Sequence, residues 1–467
     1  MVLNLSEEVA VTPFEFRELY GPAHFGNTYE VALPNEMTAL LEEARFWGFN
    51  RYADWFDTVD LRNPYTKNDG LYDMPEAVWA RKFANYGIAA RLGFGLTLGI
   101  TPNHVFADQV TPANEATKTP GFIFGQLVCP SKRGVEDMIL EFYGNLFRDF
   151  ARRGLKLSVL SFGPYDYGGC ACEACRPWIV TFGKLTRRIV RLASEFFPGI
   201  RAMLIGWWWT DEDHELFTRW ANAEAPGLFS AMVHHIPYGE TGYKRRPTPA
   251  GCAQRGFVHI GYGESRATHA DVYGHYGPAV APRRLERTLA FLREQGSDGF
   301  QAYSEGACDE INKAILAGLS SGRFRTADEV LEAYAERHLG GDAKGWAEWL
   351  CGLGEIGTLD PVAARRVFDR LAAASRPGLR LQALEEKLRM READAAVRAR
   401  AVWDPERLRA AREFWAAKER LWRGIWGLGL GRHAFKFDWL TPEWHREYAA
   451  LSASGEAGPS PSSPREA

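Results

Sequence analysis

Between residue 25 and about residue 324 the chain alternates short apolar runs with stretches of helical period, and the alternation repeats eight times. The runs fall at 25–30, 49–57, 94–100, 155–160, 200–209, 229–235, 256–262 and 299–304, lengths suited to buried strands. Segments of helical spacing lie at 35–47, 74–92, 134–153, 178–197, 211–222 and 282–295, and another begins near Cys308. Gly48 and Gly93 stand where helix C-caps belong, and Thr210 and Asp211 where caps open the next helix. Parallel strands need a long crossover between them, usually a helix, and eight such units close on themselves as an α/β fold, the (β/α)8 TIM barrel. The joint at 238–255 is the exception. It is polar and rich in Pro and Gly, and no helix is expected there.

After Arg325 the strand-like runs stop. Segments 326–339, 342–353, 360–374, 379–402 and 404–426 carry helical stripes, several opened by a Thr or Asp cap or an Asp-Pro pair. The expected organisation is a barrel over 1–325, an α-helical C-terminal domain over 326–451, and a disordered tail of Ser, Gly, Pro and charges over 452–467. Trp346, Trp349, Trp403 and Trp415 are placed to pack those helices together.

Charge excludes one class of partner. With 56 basic and 59 acidic residues the net charge is −3, so the basic field that a phosphate backbone demands is missing and nucleic acid is not an expected partner. No run of about 18 apolar residues occurs and the first residues lack the pattern of an export signal, so the expectation is a cytoplasmic protein with no membrane partner. Seven cysteines in such a chain argue against a disulfide framework. There is no Walker sequence, Gly-x-Ser-x-Gly elbow or His-Glu-x-x-His, and Gly427-Leu428-Gly429-Leu430-Gly431 has no strand before it. Aromatic residues make up 13%, with 16 Trp, a composition suited to clefts that stack flat ligands such as sugar rings.

In a barrel, polar residues at the C-terminal ends of the strands converge on one mouth. That rule assembles Asn27, Asp54, Asn103, His104, Asp166, Asp211, His234, His235, Glu264 and Glu305. Asp166 follows strand four behind Gly163-Pro164, and Glu305 ends strand eight before a glycine. Carboxylates aimed into an aromatic mouth are what glycosidic cleavage needs, one to protonate the departing oxygen and another as base or nucleophile. Asp166, Glu305 and Glu264 are therefore the catalytic candidates. Asp54, Trp55, Asn103, Trp207, Asp211, His234 and Asn312 are the expected substrate contacts. Adjacent strand residues point to opposite faces, so His234 and His235 cannot both face the site.

Cys170, Cys172 and Cys175 crowd the loop behind Asp166. Three thiolates at that spacing can hold a structural zinc with a fourth ligand from elsewhere, and reduced structural thiols or a disulfide are the alternatives. No cofactor is required for the chemistry expected.

A strand-four end carrying Asp166-Tyr167 and then Cys170, Cys172 and Cys175, together with Ser304-Glu305-Gly306, Asp309 and Asn312-Lys313, resembles a bacterial domain family of unassigned function. That family is related to the α-glucuronidases and β-N-acetylhexosaminidases among the barrel glycoside hydrolases. The resemblance covers the barrel and not the helical end. It implies a general acid after strand four, at Asp166. Hexosaminidase-like members carry an Asp-Glu or Asp-Asp pair there, and this chain departs from them with Asp166-Tyr167. α-Glucuronidases recruit further carboxylates from later strands, which implies Glu264 and Glu305. The expected activity is hydrolysis of the O-glycosidic bonds of a small oligosaccharide or glycoside. A non-catalytic carbohydrate-binding barrel and a metal-dependent sugar isomerase or hydrolase are the rival readings, and self-association into a homo-oligomer is left open.

Overall fold

The computed structural model describes residues 12–24, 27–56, 63–65, 74–121, 126–164, 168–262, 278–354, 360–425 and 442–454. Eight parallel strands close into a barrel in sequence order: β1 (Phe16–Tyr20), β2 (Arg51–Trp55), β3 (Gly95–Ile100), β4 (Leu157–Phe162), β5 (Arg201–Ile205), β6 (Phe229–His235), β7 (Ala253–His259) and β8 (Gly299–Tyr303). The helices Pro34–Trp47, Met74–Arg91, Val135–Arg152, Trp178–Phe196, Asp211–Glu224, Pro282–Glu294 and Glu310–Ser320 surround it. The joint at 236–252 has no helix, as its composition requires. No helix among the described residues is long and apolar enough to cross a membrane.

One strand lies elsewhere than expected. Of the run expected at 25–30, the described residues 27–30 are not a strand; Thr28–Val31 is a single helical turn whose N-cap, Asn27, accepts the Glu30 amide at 3.2 Å. The first strand is Phe16–Tyr20, which carries Arg17 and Glu18 and so lacks the apolar signature. Glu18 points into the barrel, buried, where it receives the Gln301 amide at 2.7 Å, the Arg51 guanidinium at 3.3 Å and the Thr97 hydroxyl. Arg51 also reaches the Thr97 and Ser158 hydroxyls at 2.8 and 2.9 Å. The lower half of the barrel interior is thus a polar layer in which the buried charges are paired.

Strand parity decides what faces the interior. Phe16, Tyr20, Ala53, Val159, Met203, Ile205, Ala231, Val233 and Phe257 form the inner cluster. Register then places Tyr20 beside Tyr303, and Tyr303 beside His259, at the upper rim. A much larger apolar core lies outside the strands, beneath the helices, and continues into Ala327–His338, Ala343–Gly354 and Pro361–Ala372. A separate cluster of Met390, Val397, Phe414, Trp415, Trp444 and Tyr448 joins Leu379–Arg398, Pro405–Glu419 and His445–Ala453. That last helix runs through 452 and 453, which the sequence had assigned to the tail, and the rest of the tail from 455 lies outside the described residues, as do 427–431.

Candidate functional site

Glu305 lies two residues beyond β8, and its position is over-determined by the chain around it. Asp309 accepts the Glu305 amide at 2.8 Å and the Ser304 hydroxyl at 2.8 Å, and pairs with Lys313 at 2.9 Å in a buried contact. Lys313 in turn donates to the Gly306 carbonyl. Burial pulls the Lys313 ammonium down, but the Asp309 carboxylate outweighs it and holds the charge. Gly306 has φ +120, and a Cβ there would sit 2.2 Å from the Thr28 side chain. Only glycine lets the segment pass that close.

The Glu305 carboxylate takes the Tyr303 hydroxyl at 2.5 Å on one oxygen and the Asn27 side-chain amide at 3.2 Å on the other. Asn27 uses the rest of its side chain to bond the Pro22 carbonyl and cap its own helix, so its reach toward Glu305 is fixed. His24 Nε2 meets the Tyr303 oxygen at 3.3 Å. With the Tyr303 proton committed to Glu305, that contact is made by Nε2–H donating. Burial lowers the His24 imidazole to about 4, opposed by the Glu305 charge and reinforced by Lys82.

Across the mouth, His235 and His259 face each other with their Nε2 atoms 3.2 Å apart. Trp207 packs on both, with ring centres 4.0 and 5.2 Å away, and Tyr238 lies 4.2 Å from His259 and 4.8 Å from Tyr262. Burial, with Arg246 adding, lowers His235 to about 4. The His259 ring lies 5.6 Å from that of Tyr303, so the two halves form one contiguous aromatic cluster at the strand ends. Trp55 backs it, edge-on to His24 at 5.5 Å.

Several expected contacts are not in this cluster. Asp54 is on the outer face of β2, between Ala53 and Trp55, which point inward; it is buried, bonds the Ala23 and Trp55 amides, and contacts Lys82 at 3.4 Å. Burial raises its carboxyl and Lys82 opposes that. His234 is the outward member of its pair, stacked on Tyr243 at 4.5 Å, and burial lowers it to about 3. His235 takes the place given to it. Asn312 is fully buried, donating to the Ile260 and Tyr262 carbonyls at 2.7 and 3.0 Å and accepting the Ala281 amide at 2.8 Å. Asn103 is buried and donates to the Val128 carbonyl at 3.0 Å. Asp211 is on the surface, pairing with Arg246 at 2.7 Å and with Lys244, which together hold its carboxyl down at about 2. Asp166 and Glu264 lie outside the described residues.

His24, Tyr303, His259, Tyr238 and Tyr262 were not among the site residues chosen from sequence. Tyr303 and His259 had a signal: each ends a strand, and Tyr303 sits two positions before Glu305 on the same face. A cavity of about 900 Å³ lies outside the strands, against Leu40, Tyr334 and Leu384, and its lining reaches Thr28 and Ala307 beside Gly306. Two of its acidic groups pair with neighbours, Glu43 with Arg337 at 2.6 Å and Glu310 with Arg380 at 2.7 Å.

No family model matches the sequence, and no curated protein matches it. Among solved structures the chain is similar to the catalytic domain of a β-amylase from Paenibacillus polymyxa, at 9% identity and a TM-score of 0.41, covering 66% of this chain and 98% of that one. It is similar to the O-GlcNAc hydrolase of Thermobaculum terrenum at 12% and 0.46, covering 89% and 82%. A xyloglucan-specific β-1,4-glucanase from a ruminal metagenomic library gives 10% and 0.40, covering 66% and 94%. Likeness this distant carries no argument about chemistry, because one barrel hosts many reactions.

Proposed function

We propose that this protein is a glycoside hydrolase that cleaves the O-glycosidic bond of a small oligosaccharide or glycoside at the barrel mouth. The observation that carries the reading is the Glu305 carboxylate, fixed by Tyr303 and Asn27 at the barrel rim, where Trp207, Tyr238 and Tyr262 cluster at the strand ends. Rings present apolar faces to the C–H faces of a sugar, and a rigidly held carboxylate serves as acid, base or nucleophile. In this reading the second carboxyl group is Asp166 or Glu264, and the separation of the working pair sets the stereochemistry.

The test is turnover of a panel of aryl glycosides by the wild type and by Glu305→Gln, Asp166→Asn and Glu264→Gln. Loss of turnover in Glu305→Gln with sugar binding retained supports the proposal, and full activity in that variant overturns it. Binding without turnover across the panel leaves the carbohydrate-binding barrel instead.

One observation favours a second reading, a metal-dependent sugar isomerase or hydrolase. Two imidazole nitrogens 3.2 Å apart suit a shared ion about 2.0–2.1 Å from each. Activity lost to a chelator and restored by an added divalent metal would select it, and turnover unaffected by the chelator would exclude it.

A further inference from the structure

We propose that Cys129, Cys170, Cys172 and Cys175 bind one zinc ion as a tetrahedral tetrathiolate site that ties the β3 and β4 sides of the barrel rim together. The four sulfurs all lie within 4.8 Å of one another, and Cys129 Sγ stands 3.7 Å from that of Cys172 and 3.6 Å from that of Cys175. A zinc–sulfur bond of about 2.3 Å in tetrahedral geometry separates its ligands by about 3.8 Å. A disulfide would bring two of the sulfurs to about 2.05 Å. A multi-iron cluster divides its thiolates between metals and spreads them further than this set is spread. The spacing is that of four ligands on one ion.

The backbone is built around the cluster from both sides. Cys129 is held by its amide on the Asn114 carbonyl at 2.8 Å, on a short antiparallel stretch where Val128 bonds Asn103 at 3.0 Å. Cys172 and Cys175 flank one tight turn, with the Cys175 amide on the Cys172 carbonyl at 3.1 Å. The Thr117 amide approaches Cys170 Sγ at 3.4 Å and the Ser131 hydroxyl lies 3.1 Å from Cys175 Sγ, the outer hydrogen bonds that thiolate ligands require. Three of the four thiols are buried, in an otherwise apolar setting with Trp55, Ala116 and Leu127. Gly169, with φ +74, packs so closely on Trp178 that a Cβ would fall 1.8 Å from the indole.

The consequence is mechanical. Cys129 belongs to the excursion after β3 and the other three to the loop after β4, the loop that also contains residue 166. Trp55, in the same cluster, meets His24 edge-on, so the ion would brace the wall of the mouth from behind without touching substrate.

The test is metal content of the full-length protein by mass spectrometry after exhaustive dialysis, with replacement by cobalt(II) alone. The expected result is one zinc per chain, retained in Cys252→Ser and lost in Cys129→Ser, and a cobalt form with the visible bands and thiolate charge transfer of a tetrahedral tetrathiolate. A wild type that binds neither ion, a mapped Cys129–Cys175 disulfide, or full zinc retention in Cys129→Ser overturns the proposal. If Cys129→Ser fails to fold, zinc content and cobalt spectrum of the wild type decide alone. None of these readouts depends on catalysis, so they stand apart from the hydrolase reading.

Discussion

Glu18 lies in β1 and Glu305 just beyond the adjacent β8, yet they keep different company. Glu18 sits in the lower interior with no exposure, and Arg51, Thr97 and Gln301 supply its hydrogen bonds. Glu305 sits at the rim, half-buried, with the neutral donors Tyr303 and Asn27 on its two oxygens. A carboxylate matched to a guanidinium in a closed space is fixed as a charge and can do little else. One held by a phenol and an amide, and still partly exposed, keeps its capacity to exchange a proton with a ligand. On the proposed reading, the kind of donor and the access, rather than burial and hydrogen bonding alone, separate a working acid from a structural one.

That contrast can be broken by paired substitutions. Glu305→Gln is expected to lower kcat by about 10²–10⁴-fold while shifting stability by no more than about 0.5 kcal/mol, read from steady-state kinetics and urea unfolding. Glu18→Ala is expected to do the reverse. It leaves Arg51 buried without its carboxylate, so unfolding free energy drops by about 3–5 kcal/mol, and kcat per folded molecule stays unchanged. Replacing both members, Glu18→Leu with Arg51→Met, recovers most of that loss because the stranded charge goes too. A large kcat effect at Glu18, or a large stability effect at Glu305, would erase the distinction.

The same two residues show how far the chain could be read unaided. The alternation of strand and helix was legible for β2 to β8, each of which overlaps a run expected to be a strand. The first strand was not, since Arg17 and Glu18 interrupt its pattern and the partners that neutralise Glu18 come from β2, β3 and β8. Glu305 was legible as a strand-end carboxylate before glycine. Strand parity was harder: Asp54 and His234 each adjoin an inward residue, and an error of one position sends a side chain to the opposite face. Asn312 has the polarity of a ligand contact but is consumed by loop carbonyls, which no local pattern reveals. Cys129 joins the other thiols only through the fold.

Acid should act on the mouth before the floor. His24 is neutral in the folded chain, held at about 4, against an ordinary value near 6.5 when unfolded. Between those values the unfolded chain binds a proton that the folded chain refuses, so stability falls as pH drops below 6.5 and goes on falling until about 4. The slope is about 1.4 kcal/mol per pH unit for each such imidazole. His24→Gln should therefore shrink the loss of stability between pH 7 and pH 5 by about 2 kcal/mol, measured as the difference in urea unfolding at the two pH values. Glu18→Ala should leave that difference unchanged, because the floor holds no histidine among its described members.

The finest test concerns the single proton between Tyr303 and Glu305. Removing the hydroxyl in Tyr303→Phe takes away a hydrogen bond that favours the charged carboxylate, so the proton affinity of Glu305 rises. Where Glu305 must be ionised for turnover, the acid limb of the rate profile moves to higher pH by up to about one unit, and kcat at neutral pH falls by about tenfold or less. Burial and the Glu305 charge keep the Tyr303 phenol protonated throughout this range, so its own titration does not enter the profile. A merely packing role for Tyr303 would lower rate or stability without moving the limb. The shift belongs to the mouth alone, since the corresponding change at the floor, Thr97→Val, removes a hydroxyl from Glu18 and leaves every limb of the profile in place.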